Sequence, residues 1–166
     1  MSTADIERTF VIHLGMGDRQ LARLAEDARS RGMTVIELDL QGIVDRSGLV
    51  DHLAKAFTFP HNIHGLDAAA DLISDLEWIG NIRGYLVVVR GVAGATGVGE
   101  FFVSMLPNIV DRSRSQGVPF VVAIDAQDER IQAALSLANL DMEQAGQLPW
   151  AQPGTGPAEV AFHGID

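Results

Sequence analysis

Tyr85-Leu-Val-Val-Val89 and Pro119-Phe-Val-Val-Ala-Ile124 are unbroken apolar runs of strand length. Such runs suit strands covered on both faces, as in a parallel sheet held between layers of helices. Between them, Glu100 to Gln116 carries apolar residues at helical spacing, so the stretch reads strand–helix–strand. Pro107 lies inside that helix and is expected to kink or restart it. Gly91 to Gly99, rich in glycine, reads as the loop that leads into it. Outward toward the N-terminus, Thr34-Val-Ile-Glu-Leu-Asp-Leu40 and Phe10-Val-Ile-His-Leu14 read as two more strands.

The segments between these strands have helical period. Asp18 can cap a helix with Leu21, Leu24, Ala25 and Ala28 on one face, which Gly32 ends. Ser47 or Asp45 starts another, with Leu49, Val50, Leu53, Ala54 and Phe57 inward, and Pro60 stops it. A helix is predicted from about Leu66 to Trp78, and a last one from Glu129 to Gln144. Val160 to Phe162 reads as an edge strand. The alternation implies a three-layer α/β domain over residues 1–143, its parallel sheet flanked by helices. A Pro- and Gly-rich segment, 144–166, follows.

Composition narrows the function. Acids outnumber bases by 22 to 12 in 166 residues, a formal net charge of −10. That balance disfavours general nucleic-acid binding and docking on an anionic membrane, both of which need basic surface. It suits a basic protein partner reached by electrostatic steering. With no cysteine, disulfides, zinc–thiolate sites and cysteine catalysis are excluded. The opening residues MSTADIER resemble no secretory signal, and no apolar stretch nears the ~20 residues that span a bilayer. A soluble cytoplasmic protein without metal or cofactor is expected.

Three constellations could carry chemistry but are incomplete. Gly15-Met-Gly17 lies between a strand and a helix, with Asp39 ending the next strand, a partial match to a dinucleotide-binding turn. Gln20 stands where that motif has its third glycine. The loop with Gly91, Gly94, Gly97 and Gly99 precedes Glu100 and Phe101 rather than the Lys and Ser/Thr of a phosphate loop. His61-Asn-Ile-His64 with Asp67 offers metal-ligand types, but three ligands on one short loop rarely give an open tetrahedral site.

The fourth constellation is complete. On the helix from Leu66, the residues Leu66, Ala69, Ala70, Ile73 and Leu76 share one face, and Asp67, Asp71 and Asp75 form an adjoining row. Like charges four apart repel by a few tenths of a kcal/mol per pair. No Lys or Arg lies between Ala56 and Ile82 to relieve them locally. The row reads either as a solvated acidic face or as a contact surface for a basic partner.

Val35-Ile-Glu-Leu-Asp-Leu-Gln-Gly42, Leu49 to Phe57, Phe59-Pro60, Gly65-Leu-Asp-Ala68, Asp71 to Leu76 and Tyr85 to Arg90 follow in an order that resembles the barstar family. The resemblance covers about residues 34–125, with an added strand–helix unit before it. It implies a barstar-like fold and an inhibitor or immunity protein whose acidic helix enters the basic active site of a ribonuclease-type toxin. The family's two contact aspartates fall on Asp67 and Asp71, and the partner-facing set becomes Asp67, Asp71, Asp75, His61, Asn62 and His64. The loop departs from the family pattern, being one residue shorter and lacking its aromatics, and Ala70 replaces a Trp or similar residue. The alternative is a small Rossmann-like nucleotide-binding domain or enzyme using Gly15, Gly17 and Asp39.

Overall fold

The two apolar runs become neighbouring parallel strands. The structure, a computed structural model, describes residues 10–95, 97–125, 129–136 and 159–163. Its elements in order are β1 (Phe10–Leu14), α1 (Asp18–Ser30), β2 (Thr34–Asp39), α2 (Arg46–Ala56), α3 (Leu66–Asp75), β3 (Tyr85–Arg90), a short 3-10 turn (Val92–Gly94), α4 (Val98–Gln116), β4 (Phe120–Ile124), α5 (129–136) and β5 (Glu159–Phe162). The sheet runs β2-β3-β4-β1-β5, and every pairing is parallel.

Side-chain alternation divides the core in two. Leu86 and Val88 of β3, with Val11, Val121 and Ala123, face α1 and its Leu21, Leu24, Ala25 and Ala28. Val87 and Val89, with Ile12, Leu38, Val122 and Ile124, face α2 to α5. Successive strand residues point to opposite faces, so a wholly apolar strand must be covered twice. The connection from β1 to β2 crosses two strands beneath α1. The connections β2–β3 and β3–β4 step back the other way beneath the remaining helices. Right-handed crossovers require that change of face when the direction of travel reverses.

The segment from β2 to β4 occupies three adjacent strand positions. The outer additions β1 and β5 extend the sheet from the β4 edge, and α1 lies on the face away from α3. Among the described residues, the strand–helix extension β1, α1 and β5 therefore does not cover α3. Among the described residues no helix is long and apolar enough to cross a membrane.

Several element boundaries differ from the sequence expectation. Helix α3 stops at Asp75 rather than Trp78, because Leu76 turns left-handed at φ 50° while its side chain is buried. A non-glycine residue there is strained, and core burial of the leucine offsets the cost. Helix α4 starts at Val98, inside the expected loop, and runs through Pro107 as one continuous helix. The proline removes one backbone donor, but Phe102, Val103, Leu106, Ile109 and Val110 anchor the helix on both sides of it. Gly17, rather than Asp18, is the N-cap of α1. Asp45 caps α2, accepting from the Gly48 amide at 2.7 Å, and that helix ends at Ala56 with Phe57 as its C-cap, before Pro60 is reached. Of the last expected helix, 129–136 is helical, whereas 137–144, the loop to 157 and the opening residues 1–9 lie outside the described residues.

Candidate functional site

The site is built on α3, and the loop before it depends on glycine. Gly65 is the N-cap at φ 97°, a conformation that an L side chain rarely adopts. From there Leu66, Ala69 and Ile73 go into the core, and Ser74 is buried with its hydroxyl donating to the Ala70 carbonyl at 2.7 Å. Burial of that face forces the neighbouring row outward, and Asp67, Asp71 and Asp75 are all exposed. Residues four apart on a helix have Cβ atoms about 5–6 Å apart, so the carboxylates form a short ladder. Asp67 lies in the first helical turn, where the helix dipole favours negative charge.

One member of the row is already paired. Arg112 Nη2 of α4 donates to Asp71 Oδ1 at 2.7 Å, with the two side chains 39% and 68% exposed. The expected repulsion within the row is thus relieved at its centre, by a cation 41 residues away in sequence. Among the described residues, Asp67 and Asp75 have no ion-pair partner. The α3–α4 packing that brings Arg112 there also aligns Ser113 Oγ with the Ser74 carbonyl at 3.4 Å.

Cavities flank the ladder at both ends. Beside Asp67, a cavity of about 480 Å³ is bounded by α2, the 61–65 loop and α4. His64 and Asp51 line it, and the Arg46 guanidinium lies 4.1 Å from the centre of the Phe101 ring. Beside Asp75, a shallow groove runs over Leu72, Pro60 and Trp78. Trp78 is fixed there by an indole N–H bond to the Phe57 carbonyl at 3.1 Å and an edge contact with Phe59. His61, Asn62 and His64 are exposed, and His61 Nδ1 approaches the Asn62 carbonyl at 3.2 Å. Among the described residues no group of three or more His, Asp or Glu could hold a metal ion. A row of carboxylates with apolar and aromatic flanks can receive cationic side chains with their aliphatic stems.

The other constellations are organised differently. Gly15 and Gly17 follow β1, whereas Asp39 ends β2, with β3 and β4 between them. At about 4.8 Å per strand, three steps separate the turn from the acid by some ~14 Å. The Gly17 amide donates to Gln20 Oε1 at 2.8 Å, and Asp39 Oδ1 accepts from the Gln41 amide at 3.0 Å. The structure therefore does not assemble Gly15, Gly17 and Asp39 into one site. In the glycine loop, a Cβ on Gly91 would come within 2.6 Å of both Asp39 Oδ1 and the Gln41 amide, so close approach of two strand ends requires that glycine.

The neighbours of the candidate site that sequence reading missed are Arg112, Arg46 and Asp51. None has a local spacing signal relative to α3, because Arg46 and Asp51 reach the site from α2 and Arg112 from α4. Asp75's neighbours Glu77 and Trp78 are visible in sequence, but only the left-handed turn at Leu76 sets them beside the groove.

A search of curated proteins gives no match. Among solved structures, a chain of Drosophila ORC bound to GC-rich DNA and Cdc6 aligns with TM-score 0.48 and 12% identity, over 78% of this chain and 47% of that one. A chain of Drosophila ORC bound to DNA gives 0.47 and 12%, over 78% and 77%. This chain thus spans about half the length of the first of these, and likeness at that level has no bearing on function. The family model described as Barstar (barnase inhibitor) matches residues 33–125, one continuous block from the approach to β2 through the end of β4. That block is more than half of the 166 residues, and the chain belongs to the barstar family.

Proposed function

We propose that this protein is a barstar-like inhibitor or immunity protein that blocks the active site of a basic ribonuclease-type toxin with α3. The observation that carries the reading is the exposed ladder Asp67, Asp71 and Asp75 on a helix whose opposite side is fixed in the core. A ribonuclease cleft holds phosphates with cations, and a rigid row of carboxylates occupies the same cations without being a substrate. Rigidity of the helix matters, because a backbone already fixed through its core face has no ordering cost left to meet on binding. The exposed loop residues His61, Asn62 and His64 extend the contact surface beside Asp67. The protein acts by occupancy, without turnover or cofactor, and works in the cytoplasm, where it protects its own cell's RNA.

The test is a titration of the purified chain against a panel of small basic ribonucleases, barnase among them, with RNA cleavage as the readout. Stoichiometric loss of cleavage by at least one member is the expected result. Undiminished cleavage by all of them at excess inhibitor would overturn the ribonuclease reading.

A further inference from the structure

We propose that Arg112 is a specificity-determining residue, which makes the α3 surface select a partner that presents a carboxylate beside its cations. The inference rests on the reading of α3 as the partner-facing helix and adds the charge pattern that the partner must carry.

The argument starts from geometry. Asp71 is the middle rung of the ladder, so a partner that engages Asp67 and Asp75 must also cover Asp71. Arg112 holds Asp71 Oδ1 at 2.7 Å and is itself partly exposed, so it lies within the same footprint. The surface there is a dipole, with one carboxylate and one guanidinium side by side. A uniformly basic cleft laid across it would bring its cations against Arg112, and like charges juxtaposed at an interface cost several kcal/mol in general. Displacing Arg112 does not avoid this, because the freed guanidinium remains tethered beside the contact. A cleft with a carboxylate at that position meets Arg112 favourably and still offers its cations to Asp67 and Asp75. Rejection of wrong partners by a built-in repulsive element is a general route to specificity. Arg46, stacked on Phe101 beside the Asp67 cavity, places a second cation at the edge of the same surface.

The test needs no ribonuclease. Wild type, Arg112→Ala and Arg23→Ala are titrated at low ionic strength with two peptides, nona-arginine and a nonapeptide alternating Arg and Glu. Amide chemical shifts of Leu66–Asp75 report binding at the site. Arg23 is exposed on α1, across the sheet, so its removal changes net charge equally and controls for steering. Arg112→Ala should tighten nona-arginine about five-fold or more beyond Arg23→Ala, the scale of one exposed ion pair, and should weaken the alternating peptide. Equal behaviour of the two variants, whether both gain or neither does, overturns the inference. So does a loss of nona-arginine affinity in Arg112→Ala, or shifts confined to residues off α3. Because the readout is peptide selection, failure here is distinguishable from failure to inhibit a ribonuclease.

Discussion

The turn after β1 and the helix α3 both present polar groups at an exposed helix, yet they dispose of them in opposite ways. At the turn, the Gly17 amide is taken by Gln20, and Asp39, the acid of the partial motif, lies at the far edge of the sheet, bonded to its own loop. At α3, two of three carboxylates have no ion-pair partner among the described residues, and the third shares a cation that is still partly exposed. A group satisfied inside the fold has little left to offer a ligand. Groups carried on a helix fixed in the core and left facing solvent are available for recognition, and in this chain those groups lie on the barstar-family segment.

The contrast can be broken first at the structural side. Leu24 of α1 is fully buried against the sheet. Leu24→Ala should cost about 2–5 kcal/mol of stability, read by denaturant unfolding, while the folded fraction inhibits ribonuclease as well as wild type does. If inhibition per folded molecule fell as well, the N-terminal unit would belong to the binding surface.

Asp67→Ala sharpens the other side. Its removal should weaken ribonuclease binding by at least about 2 kcal/mol, the scale of an interface hot spot. Loss of a carboxylate from the first helical turn should lower stability by only about 0.3–1 kcal/mol. Calorimetric titration and thermal melting measure the two effects separately.

Gln20→Ala removes the side chain that accepts from Gly17. It should destabilise by about 1 kcal/mol, as loss of an N-terminal capping interaction does, and leave ribonuclease affinity unaltered. Melting of the variant with and without NAD provides a second check, because a freed Gly17 amide that now bound the dinucleotide would raise the melting temperature.

The smallest effect is expected at Asp75. Asp75→Asn relieves its repulsion with Asp71 and should stabilise by a few tenths of a kcal/mol, a shift measurable by paired denaturant titrations. Destabilisation instead would mean that the Asp75 charge is held by the fold.

The layered architecture was legible because β3 and β4 are apolar on both faces, and few other environments than a doubly covered parallel sheet accept such strands. The acidic row was legible for a similar reason, since it depends only on a period of 3.6 and one buried face. Termini of elements were harder to read. The end of α3 is set by Leu76 adopting a left-handed conformation in exchange for burial, a tertiary decision without a local signature. The Asp71–Arg112 pair was also invisible, because the sequence stretch around α3 contains no cation and the neighbouring helix α4 delivers one from 41 residues away. Its presence changes the expectation for Asp71. Removing that carboxylate relieves two repulsions but also breaks an exposed ion pair worth about 0.2–1 kcal/mol, so the terms nearly cancel in the free protein.

That near-cancellation makes Asp71→Asn the most direct test of the central claim, because shape is kept and only charge is removed. Inhibition constants against a ribonuclease that wild type blocks, measured beside melting temperatures, separate the two roles. The account predicts at least about a 30-fold loss of affinity, the equivalent of about 2 kcal/mol, with little change in melting temperature. Unchanged affinity with a melting temperature lowered by several degrees would make Asp71 a structural residue and contradict the assignment of α3 as the inhibitory surface.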